Sequence, residues 1–178
     1  GRIFADTLAE LGADLILVDR PGSDFGSLTS ALVQRWGVAA ETHFCDLEIQ
    51  AQRTDLIATL RNSGQGLNIL VNNAAFVGTS DLPSWGVPFE EQSIETWRRA
   101  IEVNLTAIFD LCQGLYPLLK ETHSASIVNI ASIYGMYGPD WSLYEGTDMS
   151  NPAAYGASKG GLIQLTRWLA TTIAPEVR

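Results

Sequence analysis

Leu15-Ile16-Leu17-Val18-Asp19 is a short apolar run that ends in a carboxylate, and it indicates how the rest of the chain folds. A continuous run of branched apolar residues is typical of a strand that is buried on both faces of a parallel sheet. Further extended or apolar runs lie at residues 39–44, 69–71 and 126–130. Parallel strands need long crossover connections, and the intervals between these runs are long enough to hold helices. The chain therefore predicts strands that alternate with helices.

Apolar residues at helical spacing fill the intervals between the predicted strands. The longest predicted helix covers residues 93–120, and Ser93 is a plausible N-cap. The predicted helices cover residues 1–11, 28–36, 50–62, 93–120 and 152–174. Right-handed crossovers would place such helices on both faces of a parallel sheet. We therefore predict an α/β fold with a doubly wound parallel sheet, in one domain over residues 1–178.

The composition excludes several classes of protein. The 178 residues carry a net charge of −9 and are 46% hydrophobic, which is too apolar for a disordered chain. The 11 basic residues are scattered and form no stripe for a nucleic-acid backbone, and no apolar stretch approaches the ~20 residues of a membrane span. Cys45 and Cys112 lack metal-ligand spacing and are expected to be reduced core residues. We expect a cytoplasmic protein with no metal, nucleic acid or membrane contact.

Small residues follow three of the predicted strands. Asp19 ends the first, Asp46 and Leu47 follow the second, and Asn73 and Ala74 follow the third. Ligands of doubly wound sheets bind at the carboxyl ends of strands, where a carboxylate can accept hydrogen bonds from a dinucleotide ribose. Asn73 could hold the strand ends in register, and the small Ala74 would let a flat ring approach the backbone. An Asp at a strand end is also a common turn former or helix cap, so Asp19 alone leaves both interpretations open.

Tyr155 and Lys159 are four residues apart in the last predicted helix, so their side chains lie on one face. A tyrosine has an ordinary pKa near ~10, and a nearby ammonium lowers that pKa toward neutrality, where proton transfer is useful. Ser132, at the end of a strand, can fix the oxygen of an alcohol or carbonyl against the phenol. Asn104 lies in the long predicted helix. In isolation, the tyrosine and lysine would be a solvated pair on a helix surface.

Together these residues resemble the short-chain dehydrogenase/reductase family, in its single-domain branch, over essentially the whole chain. The resemblance implies a Rossmann fold and reversible interconversion of an alcohol and a carbonyl with a nicotinamide cofactor. It implies that Tyr155 is the general base in oxidation, that Lys159 lowers its pKa, and that Ser132 orients the substrate oxygen. It also implies that Asn104 holds a water in the proton relay.

The same resemblance implies a set of cofactor-binding residues. Asp19 would bind the adenosine ribose, Asp46 and Leu47 would contact the adenine, and Asn73 and Ala74 would lie beside the cofactor. The catalytic pair would contact the cofactor as well, at Tyr155 and Lys159.

The charge at the end of the first strand bears on the choice of cofactor. Asp19 would repel a 2′-phosphate and bind a free 2′-hydroxyl, so NAD is expected rather than NADP. Arg20 keeps NADP open, because an arginine there could pair with a phosphate. The resemblance also implies a homodimer or homotetramer, in which the two long helices pair across the contact.

The predicted fold is incomplete at both ends. In the resemblance, Gly1 corresponds to the last glycine of the family's glycine-rich turn, so the opening strand is expected before it. The family's final strands are expected after Arg178. The site for the pyrophosphate and much of the substrate pocket would then lie outside residues 1–178.

The spacing between Ser132 and Tyr155 departs from the family pattern, because 22 residues lie between them, about ten more than is usual in this branch. The extra segment, residues 138–152, is expected beside the substrate, although a surface excursion is an equal alternative. Four of its residues would suit a polyhydroxylated ligand such as a sugar, polyol or aldonate: Trp141, Tyr144, Glu145 and Asp148.

Two other functions fit parts of the pattern. The first is a sugar-nucleotide epimerase or dehydratase of the family's extended branch, where the spacing from serine to tyrosine is longer. The second is a nucleotide-binding protein that has kept the fold and lost the chemistry. The residues that follow the third strand and the complete catalytic set favour the dehydrogenase over both.

Overall fold

A computed structural model describes residues 1–78, 80–147 and 149–178. Helices and parallel strands alternate along it, as the sequence predicts. The α-helices are α1 (Arg2–Glu10), α2 (Gly26–Trp36), α3 (Gln50–Asn62), α4 (Ile94–Ile101), α5 (Ala107–Lys120) and α6 (Ala153–Thr172). The strands are β1 (Leu15–Asp19), β2 (Ala40–Phe44), β3 (Ile69–Asn72) and β4 (Ser126–Asn129). The chain divides into two compact units, Gly1–Leu56 and Ile57–Arg178.

The first unit is built around β1 and β2, which pair in parallel. Leu15 lies opposite Ala40, and Asp19 lies opposite Phe44, so the carboxyl ends of the two strands are neighbours. Helix α2 ends at Gly37, which has a left-handed φ of 71° and so allows the chain to turn into β2. The apolar core of this unit comprises Ala5, Ala9, Leu15, Leu32 and Val38.

The second unit is built around β3 and β4, which also pair in parallel. Ile69 lies opposite Ser126, and Asn72 lies opposite Asn129. Helices α5 and α6 contribute the buried residues of one core cluster, which comprises Ile108, Cys112 and Leu162. The predicted sheet is therefore present as two parallel pairs of strands, one in each unit.

The long helix predicted over residues 93–120 begins as expected but is interrupted. The Ser93 hydroxyl accepts a hydrogen bond from the Thr96 backbone N–H at 3.1 Å, which confirms it as an N-cap. Between α4 and α5, Glu102–Thr106 forms a π turn. Such turns contain one residue more than an α-helical turn, and they occur frequently at functional sites. Asn104 lies at the centre of this one.

Two further expectations concern membranes and metals. Among the described residues, no helix is both long and apolar enough to cross a membrane. The described His, Cys, Asp and Glu side chains form no group of three that could hold a metal ion. Cys45 and Cys112 are both free thiols in the core, and burial raises the pKa of Cys112 to about 11.

Candidate active site

Tyr155 and Lys159 lie one turn apart near the start of α6. The Lys159 side chain is almost completely buried, and its Nζ donates a hydrogen bond of 2.6 Å to the Ile130 carbonyl oxygen, just after β4. This places Nζ 5.9 Å from the centre of the half-buried Tyr155 ring. Burial lowers the pKa of Lys159, because desolvation disfavours the ammonium. The buried Lys159 ammonium therefore lies beside the ring of Tyr155, the tyrosine predicted from the sequence to act in catalysis.

A second pair in the chain shows what the same spacing looks like on a surface. Tyr116 and Lys120 are also four residues apart, in α5, and Lys120 Nζ is 5.6 Å from the Tyr116 ring centre. Lys120 is exposed, whereas Lys159 is 2% exposed. A solvated ammonium is screened by water, so it acts far more weakly on a neighbouring phenol than a buried one does. A solvated pair on a helix surface is therefore a description that fits Tyr116 and Lys120. It does not fit Tyr155 and Lys159, because Lys159 is buried.

Ser132 is positioned at the start of a short 3₁₀ helix, Ile133–Gly135. Its backbone is extended, and its hydroxyl oxygen accepts a hydrogen bond of 3.2 Å from the Tyr134 backbone N–H. This bond uses an acceptor position of the hydroxyl and does not involve its hydrogen, which can be donated to a carbonyl or alkoxide oxygen. The residue is half-buried, so a small ligand can reach it.

Glycines allow the Ser132 turn to lie directly against α6. A Cβ at Gly135 would be 2.7 Å from the Lys159 carbonyl oxygen, a distance at which the backbones would have to separate. On the helix side, a Cβ at Gly156 would be 3.2 Å from the Tyr134 carbonyl oxygen. This close approach of two backbones holds the serine, the tyrosine and the lysine on adjoining elements.

Asn104 connects the π turn to two other parts of the site. It is fully buried, and its Oδ1 accepts a hydrogen bond from the Phe76 backbone N–H at 2.7 Å. Its Nδ2 donates to the Phe76 carbonyl at 2.9 Å and to Ser158 Oγ at 3.1 Å. Ser158 Oγ in turn donates to the Tyr155 carbonyl at 2.8 Å. Asn104 thus fixes the loop after β3 to the first turn of α6, and its water-holding role stays a prediction.

The strand end beside this site is held by a residue that the sequence did not single out. Asn72 Nδ2, and not Asn73, donates to the Asn129 side chain across the strand pair, at 2.8 Å. Asn129 then donates to Thr166 Oγ1 on α6 at 2.9 Å. Successive strand residues point to opposite faces, so Asn72 and Asn73 cannot share this role. Asn73, directly after β3, is half-buried, and the next residue, Ala74, is exposed.

In the first unit, Asp19 lies exposed at the carboxyl end of β1. One oxygen of its carboxylate accepts a hydrogen bond from the Arg20 backbone N–H at 2.8 Å. The Asp19 carbonyl accepts from the Cys45 N–H at 2.8 Å, which ties this strand end to the end of β2. The side chain is therefore placed where a ribose could approach it from solvent.

Asp46 and Leu47 follow β2 in a turn that is held by the next helix. The Asp46 backbone N–H donates to Gln52 Oε1 at 2.7 Å, and the Leu47 carbonyl accepts from the buried Arg53 guanidinium at 2.6 Å. The Asp46 carboxylate accepts from the Glu48 N–H at 3.0 Å. Gln52 and Arg53 thus shape the predicted adenine site, although the sequence reading did not name them.

A groove of about 620 Å³ opens beside the candidate catalytic residues in the second unit. Tyr134 and Gly156, which are close to Ser132 and Tyr155 in the chain, line one side. The rest of the lining comes largely from residues 85–92 and from the extra segment 138–152. Of the residues predicted to suit a polyhydroxylated ligand, Trp141 and Tyr144 line the groove, and Asp148 lies outside the described residues. Glu145 is exposed and is not part of the lining.

Comparisons with known proteins agree with this geometry. A model of the family described as short chain dehydrogenase matches residues 1–178. A tropinone reductase homolog of Arabidopsis thaliana is 33% identical, over 99% of this chain and 60% of its own. Cyclopentanol dehydrogenase of Comamonas sp. is 29% identical, over 98% and 63%. A solved short-chain dehydrogenase of Sphingobium yanoikuyae, in complex with NADPH, is 27% identical with a TM-score of 0.80, over 98% and 62%.

Parallel strands covered by helices, together with the superposition on a solved dehydrogenase, define a Rossmann-type α/β protein. The match along its full length shows that the chain belongs to the short-chain dehydrogenase family. It spans about three fifths of the length of the relatives named above.

Proposed function

We propose that the full-length protein is a nicotinamide-dependent oxidoreductase that interconverts an alcohol and a carbonyl compound. The observation that carries this proposal is the buried Lys159 ammonium, which the Ile130 carbonyl holds at the Tyr155 ring. A cation in this place stabilises the phenolate over the phenol, so Tyr155 can exchange protons near neutral pH. The Ser132 turn packs closely on the same helix, and its hydroxyl is the group proposed to orient the substrate oxygen.

In the oxidising direction, the Tyr155 phenolate accepts the proton of the substrate hydroxyl. The Ser132 hydroxyl donates a hydrogen bond to the same oxygen and keeps it within reach of the phenolate. When bound, the cofactor supplies the nicotinamide ring that accepts the hydride from the carbinol carbon. In reduction Tyr155 returns the proton, and Lys159 offsets the charge that remains on the phenolate. Asn104 is proposed to connect this proton to solvent.

In each unit, the residues proposed to hold the cofactor have chemistry that suits a part of a dinucleotide. The exposed Asp19 carboxylate can accept hydrogen bonds from the ribose hydroxyls, and the turn at Asp46 and Leu47 offers an edge for the adenine. Ala74 is small and exposed, so a flat ring can approach the backbone there. We propose NAD as the preferred form, because Asp19 would repel a 2′-phosphate. The Sphingobium relative is in complex with NADPH, which favours NADP instead, and Arg20 beside Asp19 could pair with its 2′-phosphate.

The substrate is proposed to be a small secondary alcohol or its ketone. Cyclopentanol dehydrogenase is named for a neutral cyclic alcohol, and this relative shares 29% of its residues with the chain over the aligned part. A sugar, polyol or aldonate, which the extra segment suggested, stays a prediction.

The assembly and the location also belong to the proposal. Helices α4, α5 and α6 expose large apolar side chains, and a homodimer or homotetramer would cover Trp97, Phe109 and Trp168. Light scattering of the full-length protein would show a multiple of the monomer mass if these helices pair. A cytoplasmic location agrees with the free thiols at Cys45 and Cys112.

The test is a substrate panel with the full-length protein and either NAD or NADP. Absorbance of the reduced nicotinamide should rise with cyclic alcohols, polyols or aldonates and fall with the matching ketones. Sugar nucleotides in the same panel test the rival chemistry, because an epimerase converts its substrate without a net change in the cofactor. Tight binding of the cofactor without conversion of any substrate would instead favour a non-catalytic nucleotide-binding protein, and either result would contradict the proposal.

A further inference from the structure

The extra segment 138–152 forms part of the wall of the groove beside the candidate catalytic residues, and it is fixed to the rest of that wall by specific contacts. Ser150 Oγ donates to the Gly78 carbonyl at 3.1 Å, and a Cβ at Gly86 would lie 2.8 Å from the same hydroxyl. The backbone N–H of Ala153, where α6 begins, donates to Gln92 Oε1 at 3.1 Å. These contacts join the end of the segment to residues 78–92 and argue against a loose surface excursion.

Within the segment, a short 3₁₀ helix, Trp141–Tyr144, presents two aromatic rings to the groove. The Tyr144 hydroxyl donates to the Tyr134 hydroxyl at 2.6 Å, two residues after Ser132. The Trp141 and Tyr144 rings pack on each other with their centres 5.5 Å apart. An aromatic wall is thereby connected directly to the turn that carries the catalytic serine.

The described residues of the groove offer its occupant apolar surface and no charge. All of its described lining residues are uncharged, and they include Trp85, Phe89 and Met149 besides the rings above. The pKa of Tyr134 is raised, with the hydrogen bond that it shares with Tyr144 as the largest cause, so this phenol stays neutral too. A carboxylate or phosphate entering the groove would lose hydration without gaining a cationic partner.

Several amide and hydroxyl groups of the lining are already used by the protein. Gln92 Oε1 binds the Ala153 N–H, and Ser150 Oγ binds the Gly78 carbonyl. Asn151 is buried, and its Nδ2 lies 3.5 Å from the Tyr144 hydroxyl as donor. A ligand with many hydroxyl groups would therefore find few free partners, whereas a hydrocarbon ring needs none.

We propose that this groove binds the ring of a neutral cyclic alcohol or ketone, and that Trp141 and Tyr144 determine that specificity. The inference rests on the proposed function, because it takes the groove as the substrate side of the site at Tyr155. It favours an uncharged, mostly hydrocarbon ring over the sugar acids and polyols that the composition of the segment suggests.

The first experiment compares two ketones that share one ring, 4-methylcyclohexanone and 4-oxocyclohexanecarboxylate, with the full-length protein and reduced cofactor. We expect kcat/KM for the neutral ketone to exceed that for the carboxylate by about 100-fold or more, since an uncompensated charge is costly in such a pocket. Equal values for the two ketones, or a preference for the carboxylate, would overturn the proposal.

The second experiment compares Trp141→Ala with Leu143→Ala. Trp141 lines the groove, whereas Leu143 is 70% exposed in the same short helix and does not line it. We expect Trp141→Ala to raise KM for 4-methylcyclohexanone by about 10-fold, with a smaller effect on kcat and little effect on acetone. Leu143→Ala should match the wild type. Indistinguishable KM values for the two variants would contradict the assignment.

A binding measurement separates this inference from the proposed function. Ligand-observed NMR with 4-methylcyclohexanone and Tyr155→Phe needs no turnover, so it reports on the groove even if no reaction is found. Binding that is lost when Trp141→Ala is added supports the inference independently of catalysis. If Tyr155→Phe with Trp141 intact does not bind 4-methylcyclohexanone, the inference is overturned. This result is expected if another part of the full-length protein fills the groove.

Discussion

Burial distinguishes Lys159 from Lys120, which is otherwise similar in its spacing and distance from a tyrosine ring. A buried ammonium acts through a low dielectric, and its hydrogen bond to Ile130 fixes it in place. Because burial also lowers the pKa of Lys159, the side chain is an ammonium below that lowered value and a neutral amine above it. Its help to Tyr155 is therefore lost as the pH rises through the lowered pKa.

Replacing Lys159 should move the pH profile as well as the rate. In Lys159→Met, Tyr155 loses the buried cation that favours its phenolate, so alcohol oxidation at pH 7 should fall about 100-fold or more. The rate of the variant should then increase steadily toward pH 10, whereas the wild type should reach its plateau earlier. The measurement is kcat/KM from pH 6 to pH 10, with Lys120→Met as the control. Parallel profiles for the wild type and Lys159→Met would contradict this role.

Asp19 should control the choice between the two cofactors. Removing its charge in Asp19→Ala should abolish the repulsion of a 2′-phosphate, so the ratio of kcat/KM for NAD to that for NADP should fall by about 10-fold or more. Asp14→Ala is a matched control, because Asp14 bonds the Ala39 N–H at the other end of β1. If the ratio in Asp19→Ala equals that of the wild type, Asp19 does not contact the ribose.

The buried thiol of Cys112 should make the protein less stable at high pH. Its folded pKa is raised from the ordinary 9.0 to about 11 by burial, so the folded state retains a proton that the unfolded chain loses. Stability is thus fully present below pH 9 and is lost as the pH rises toward 11, by about 3 kcal/mol for this group. Unfolding in denaturant should show this loss in the full-length wild type and not in Cys112→Ala. Equal losses would show that the thiol does not titrate as described.

At the scale of elements, the contact between the Ser132 turn and α6 determines the geometry of the candidate catalytic residues. In Gly135→Ala, the added methyl group would meet the Lys159 carbonyl and push the turn outward. Because displacement by about 1 Å can cost ~100-fold in rate, kcat should fall at least 10-fold. Gly26→Ala is the matched control, since a Cβ there meets only the Asp24 carboxylate, at an ordinary contact distance of 3.7 Å. Unchanged kcat in Gly135→Ala would mean that this contact does not position the site.

The elements show how far the sequence could be interpreted alone. The strands and the start of the long helix were predictable, because buried runs and the cap at Ser93 are local signals. The π turn was not, since the apolar spacing of Ile101, Leu105 and Ile108 continues through it. Local signals also cannot show which buried polar groups meet across the fold.

The bonds that organise the site illustrate this second limit. Asn104 meets Ser158 at a separation of 54 residues, and Asn72 meets Asn129 at a separation of 57. Hydrogen bonds of this kind follow from the folded geometry and leave no periodic pattern in the sequence. The candidate catalytic residues could be proposed from the sequence because their chemistry, and not their contacts, marks them.

At the scale of the whole molecule, the family match and the site point to one activity for the full-length protein. Residues 1–178 account for the candidate catalytic residues and for a candidate ribose contact, and they span about three fifths of the length of the relatives. Activity, substrate range and assembly therefore have to be measured on the full-length protein, in which the residues described above keep their natural surroundings.

The most direct test compares Tyr155→Phe with Tyr116→Phe in the full-length protein. Each variant loses one phenolic hydroxyl from a tyrosine that has a lysine four residues later. Reduction of NAD by an active alcohol should fall at least 1,000-fold in Tyr155→Phe, because the general base is lost, and should be unchanged in Tyr116→Phe. Cofactor binding, followed by fluorescence, should persist in both. Full activity in Tyr155→Phe would contradict the account.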